Sequence, residues 1–189
     1  MKKIIAIITV LFATLIMSGC GAAKLTPAQQ AVVDSQATMY TQVSMWTERN
    51  RIIGTNYALG MHIPVNSEVK ILDMNAKVIV FEYQGQKIKY EVYTKYTRVD
   101  AGTMLDRLFS KTKVNLSTHS AAIKESIEKG LVTKDMTKDE VLLARGYPPF
   151  HATQGIEANT WKYWRHRFAT ALVTFQDGKV SEIKGVPSE

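Results

Sequence analysis

The hydrophobic and polar positions change rhythm several times along the chain. Ile4–Met17 carry no charge and are almost wholly apolar. From Thr26 the pattern is weakly amphipathic through Thr38, read as a short helix or an ordered linker. Thr26 would be the N-cap, Pro27 the first helical residue, and Gln29 would reach back as in a capping box. Residues 39–98 then turn β-rich, with the runs MYTQVSMW, SEVKILDM, KVIVFEY and QKIKYEVY. In the last, Ile88, Tyr90 and Val92 alternate with Lys87, Lys89 and Glu91, which predicts a strand with one buried face. Gln84-Gly85 between two runs predicts a tight hairpin.

Helical spacing returns at Ala101–Thr112, where Met104, Leu105, Leu108 and Phe109 would share a face. A further helix is expected from a cap at Ser117 or Thr118 to about Lys129, with Ala122, Ile123 and Ile127 inward and Gly130 ending it. In MTKDEVLLARGYP, Thr137 and Glu140 form a capping box, and Met136 and Val141 a hydrophobic staple. Gly146 stops that helix and Pro148 prevents its restart. Three strands follow, around Thr160–His166, Phe168–Gln176 and Lys179–Lys184, the last two joined at Asp177-Gly178. The fold class is therefore α+β.

The apolar start changes the picture of where the protein works. Lys2 and Lys3 precede a run of fourteen uncharged residues, Ile4 to Met17, and Ser18-Gly19 follow. A spanning helix needs about 20 apolar residues, so the run reads as a removed secretory signal. Met17-Ser18-Gly19-Cys20 resembles a bacterial lipobox, with Met17 where leucine is usual. The resemblance implies a lipid on Cys20, the only cysteine, and cleavage before it. Several acyl chains would anchor the chain stably. By resemblance to Gram-negative lipoproteins, Gly21 in place of aspartate implies the outer membrane, facing the periplasm.

With a single cysteine, no disulfide can form within the chain, so the fold must stand on its core alone. Loss of Lys2 and Lys3 with the signal lowers the formal charge from +7 to +5. The mild excess is scattered over Lys87, Lys89, Lys95 and Arg98, and over Lys162, Arg165 and Arg167. These are either ordinary solvated faces or a surface suited to anionic lipid headgroups near the anchor. Nucleic acid is excluded as a partner by the compartment.

Residues 39–98 resemble an SH3-like barrel, including the stretch GTNYALGMHIPVNSEVKI. The second half resembles the SmpA/OmlA (BamE-like) family of outer-membrane lipoproteins over about residues 118–186. The residues that carry this are Gly130, Met136-Thr137-Lys138, Glu140-Val141, Gly146, Pro148, Trp161, Tyr163, Phe175 and Gly178-Lys179-Val180. Asp135 departs from the pattern, since glycine commonly precedes the Met-Thr pair. The resemblance implies an αα-βββ unit and an envelope lipoprotein. The expected organisation is a signal peptide at 1–19, a tether and short helix at 20–38, an SH3-like β-rich domain with a terminal helix at 39–112, and a BamE-like domain at 113–189.

No catalytic set is evident. His62, His119, His151 and His166 are far apart, although His151 and His166 could meet in space. Asp139 and Glu140 are adjacent, which on a helix prevents them from facing each other. No enzyme activity, metal or cofactor is expected. On the strand at 160–166, Trp161 and Tyr163 share one face and Trp164 takes the other. Trp161 is expected in the core. Trp164, beside Arg165 and Arg167, is the candidate partner contact, because Trp and Arg are enriched at binding hot spots. The expected function is a lipid-anchored, non-catalytic protein that binds other envelope components as a scaffold or accessory factor. The alternative is a peptidoglycan binder acting through Tyr57, Tyr83 or Tyr93.

Overall fold

The computed structural model describes residues 25–185; the signal, the lipobox and Cys20 lie outside them. The fold is α+β. Helix α1 is Pro27–Ser35, with the full Thr26/Gln29 capping box. It ends sooner than Thr38 because Gln36 takes a left-handed conformation, φ 47°, and Thr38 opens strand β1, Thr38–Thr41. Strands β2 Met45–Thr47, β3 Arg51–Ile53, β4 Met61–Ile63, β5 Glu68–Met74, β6 Val78–Tyr83 and β7 Gln86–Glu91 follow. Two short helices come next, α2 Thr94–Thr97 and α3 Ala101–Leu108, then strand β8, Phe109–Ser110.

Six of these strands form one sheet in the order β3-β7-β6-β5-β1-β8, while β2 and β4 pair separately. The run MYTQVSMW is thus split between two sheets. Every pairing is antiparallel except β3 with β7. The β6–β7 hairpin turns at Gln84 (φ 50°) and Gly85 (φ 74°), the two positive angles that a two-residue turn needs. Ile88, Tyr90 and Val92 are buried, as their alternation predicts. Helix α3 stops at Leu108, short of Thr112. Phe109 is extended (φ −138°, ψ 141°), pairs with Thr41, and packs its ring 5.1 Å from Phe81. Sheet pairing and ring burial outweigh the helical spacing there.

The second half holds helices α4 Ala121–Lys129 and α5 Lys138–Arg145, then strands β9 Thr160–His166, β10 Ala169–Gln176 and β11 Lys179–Gly185. The three strands make an antiparallel sheet with β10 in the middle. The α4 cap is Ser120, which accepts from the Ile123 N–H, whereas the Ser117 hydroxyl bonds Asn115. Ile127 is fully buried, Ile123 partly so, and Ala122 is exposed, so the inward face is narrower than the sequence suggests. Thr137 and Glu140 form the expected box, and Met136 and Val141 are fully buried. Asp135 has φ 68°. That left-handed angle is the physical reason glycine suits this position, and a short polar side chain tolerates it next best.

Two hydrophobic cores result. One, around Ile71, Ile79, Phe81, Ile88 and Leu105, belongs to the first sheet and α3. The other, around Ile127, Met136, Val141, Trp161, Tyr163 and Phe175, fills the second half. They exchange residues: Val65 packs in the second core, and Tyr147 packs against the first.

Candidate functional site

The site is built where the halves meet, and backbone hydrogen bonds fix that junction. The Ser44 N–H donates to the Leu143 carbonyl at 2.9 Å, and the Ala58 N–H to the Trp164 carbonyl at 3.0 Å. The Asn56 amide donates to the carbonyls of Arg145 (2.6 Å) and Tyr147 (3.0 Å), capping the end of α5. Asn66 both donates to and accepts from the backbone of Val114. Between these ties Arg145 crosses the junction. Its guanidinium sits 4.5 Å from the ring centre of Trp46 and 5.1 Å from that of Tyr163. Burial pulls it down to about 10, so it stays charged at neutral pH. Trp46 also stacks on His62, with ring centres 4.8 Å apart. His62 is held below its ordinary value, first by burial and then by the Arg145 charge.

Beside this contact a cleft of about 320 Å³ opens between α3, the turn after α2 and the α5–β9 loop. Its walls are mainly apolar, from Val43, Ile52, Met104, Leu108, Tyr147 and Phe150. Two arginines stand on it, each over a ring: Arg107 lies 4.5 Å from the Tyr147 centroid, and Arg98 lies 5.1 Å from Phe150. No Asp or Glu lines it, and neither arginine has an ion pair among the described residues. Ile156, 44% exposed, also lines the cleft. The volume is within the roughly 300–1,000 Å³ usual for ligand pockets, and such apolar walls with a few polar groups are their usual make-up.

A row of rings runs along the surface from the first half to the second. Tyr93 and Tyr96 are 6.1 Å apart, Tyr96 and His151 4.8 Å, and His151 and Trp164 5.1 Å. Lys95 stands over Tyr96 and Lys162 over Trp164. Burial first, then the charges of Lys162 and Lys95, lower the His151 imidazole. At one end Tyr93 donates to Glu91, which also holds Arg51.

Of the predicted contact residues, Trp164 is half-buried under its stack with His151, Arg165 is half-buried and Arg167 is exposed. Trp164 and Arg165 alternate on β9, so the strand sends them to opposite faces. Arg167 lies in the β9–β10 turn, its guanidinium 4.9 Å from the ring centre of Phe168. Phe168 is 81% exposed, the most exposed of the large hydrophobics among the described residues, and lies in the turn just before the strand the sequence had it open, which starts at Ala169. Trp161 and Tyr163 are fully buried. Of the tyrosines considered for cell-wall binding, Tyr83 is buried, Tyr57 half-buried and Tyr93 exposed. His151 and His166 go to different neighbours, Trp164 and Phe168. Among the described residues no three His, Cys, Asp or Glu side chains gather as a metal site. Glu140 is engaged as the α5 cap and also meets His119 Nδ1 at 2.8 Å. Burial works to raise its carboxyl, but the Thr137 N–H and His119 outweigh this and hold it low.

Sequence reasoning missed the cleft and Arg145. Each left only a local trace in the sequence, which does not reveal the distant residues that complete it. Tyr147-Pro148-Pro149-Phe150 sets two rings on a stiff loop, and Arg145 follows Val141 by four residues, on the buried face of α5. The chain matches no family model, no curated protein and no solved structure.

Proposed function

We propose that this protein is a lipid-anchored, non-catalytic envelope protein, held at the outer membrane through Cys20, that binds other envelope components as a scaffold or accessory factor. In this reading the first half is an SH3-like unit and the second a BamE-like αα-βββ unit. The observation that carries it is the junction cleft: apolar walls, two arginines without an ion pair among the described residues, and no carboxylate among the described residues that line it, set between two cores tied together by hydrogen bonds. Such a surface can hold a partner, with apolar walls for contact area and arginines for orientation. The exposed Phe168 beside Arg167 offers a second apolar contact on the hairpin tip.

The test is affinity capture from solubilised membranes with the full chain and its Ile156→Asp variant. A charge on the cleft wall opposes docking there without touching either core. The same partner should be recovered with the unaltered chain and lost with the variant. Equal recovery by both would remove the cleft from the account.

The row Tyr93–Tyr96–His151–Trp164 favours a second reading, peptidoglycan binding, because aromatic faces beside cations suit a sugar-peptide polymer. Sedimentation with purified sacculi decides it. A soluble fraction that sacculi leave unchanged would end that reading.

A further inference from the structure

Arg145 is 5% exposed, yet none of the ion pairs among the described residues includes it. Trp46 and Tyr163 cover its guanidinium with their rings. Rings satisfy the charge in part, but the N–H donors need acceptors in the guanidinium plane. Nη2 makes one long contact, 3.4 Å, to the Trp164 carbonyl, which already accepts from Ala58. Nη1 is buried with no acceptor. A buried cation normally has a counter-charge, because desolvation otherwise opposes it strongly.

A second cavity, about 40 Å³, lies beside this side chain. Arg145 and Arg165 both line it, with Tyr163 and Trp164, and Val132 and Ala171 among its apolar walls. No Asp or Glu lines it, Arg165 has no ion pair among the described residues, and the Tyr163 hydroxyl is committed to the Gly146 carbonyl at 2.8 Å. His62, which stacks on Trp46, is neutral or cationic and so cannot be the counter-charge of Arg145. A water needs about 10–15 Å³ of such space, so the cavity has room for a halide-sized ion.

We infer that Arg145 and Arg165 form a binding site for a small monovalent anion, with chloride as the natural occupant, that neutralises the junction between the two cores. The apolar walls make dehydration part of binding. Bromide and chloride, which shed water readily, should therefore bind better than fluoride. The site is separate from the large cleft and does not depend on the proposed function.

The experiment is thermal unfolding of the full chain at fixed ionic strength, with sodium gluconate replaced stepwise by fluoride, chloride or bromide. A ligand that binds only the folded state stabilises it by mass action. The melting temperature should rise saturably by about 2 °C or more with chloride and bromide, and stay flat with fluoride. Arg145→Met keeps the bulk and removes the charge, and should abolish the rise. Should that variant fail to fold, Arg165→Gln should weaken the apparent affinity about tenfold. Broadening of the chloride-35 resonance by the protein, reversed by bromide, reports binding without unfolding. Equal melting temperatures in gluconate and bromide, or a halide effect undiminished in both variants, would overturn the proposal.

Discussion

The guanidinium of Arg145 lies 4.5 Å from the ring centre of Trp46, joining the end of α5 in the second half to β2 in the first. Trp46 is only 9% exposed and also stacks on His62. The contact spans the two cores, so its loss should be felt as loss of coupling. Trp46→Ala should lower stability by about 3–5 kcal/mol. It should also split a single unfolding transition into two, as scanning calorimetry would show. One undivided transition at nearly the original temperature would mean that the backbone ties alone hold the halves together.

Acid should weaken the same junction. His62 is held below its ordinary value by burial and then by Arg145. The unfolded chain then binds more protons than the folded one as pH falls through about 6.5, so stability falls as well. The stabilising contribution is whole above the unfolded value and is lost as pH drops through the lowered folded one. Chemical denaturation from pH 8 to 5 should show this slope, and His62→Gln should reduce it, leaving the part that the lowered His151 contributes. An unchanged slope in the variant would assign the acid sensitivity elsewhere.

At the start of α5 two residues divide the work. Thr137→Ala removes the side chain that accepts from the Glu140 N–H, and should cost about 1 kcal/mol. Asp135, at φ 68°, should tolerate glycine within about 0.5 kcal/mol, since relief of the left-handed angle offsets the added freedom of the unfolded chain. Asp135→Val should cost about 1–2 kcal/mol. Urea titrations read all three. A harmless valine would show that the angle relaxes.

Phe168, 81% exposed, contributes little to either core. Phe168→Ala should leave the melting temperature within about 1 °C and reduce partner recovery from membranes. A large loss of thermal stability would show that the hairpin tip is structural.

Local signals in the sequence were strong where they acted within a few residues. The Thr137/Glu140 box, Gly130 as a cap and the two-residue turns at Gln84-Gly85 and Asp177-Gly178 were all readable, because each depends on neighbouring backbone geometry. Phe109 was misread because its helical spacing is local, while its pairing with Thr41 and packing on Phe81 are distant. The cap of α4 was expected at Ser117 or Thr118, but the Ser117 hydroxyl is taken by Asn115 and Ser120 caps the helix instead. The cleft was hidden for a deeper reason. Its walls come from positions as far apart as Val43 and Ile156, and no pattern along one segment announces that they meet. Arg145 was not singled out in the sequence, because its neighbours Trp46 and Tyr163 are distant along the chain.

The central claim is that an envelope component docks at the junction between the two cores. Photo-crosslinking in living cells tests it most directly, with a photoreactive residue placed at position 156 or 168, or at the exposed Lys87 beside the β6–β7 turn, which does not line the cleft. The account predicts one recurring adduct from 156, weaker capture from 168 and none from 87. Adducts of equal yield from all three positions, or none from any, would contradict it.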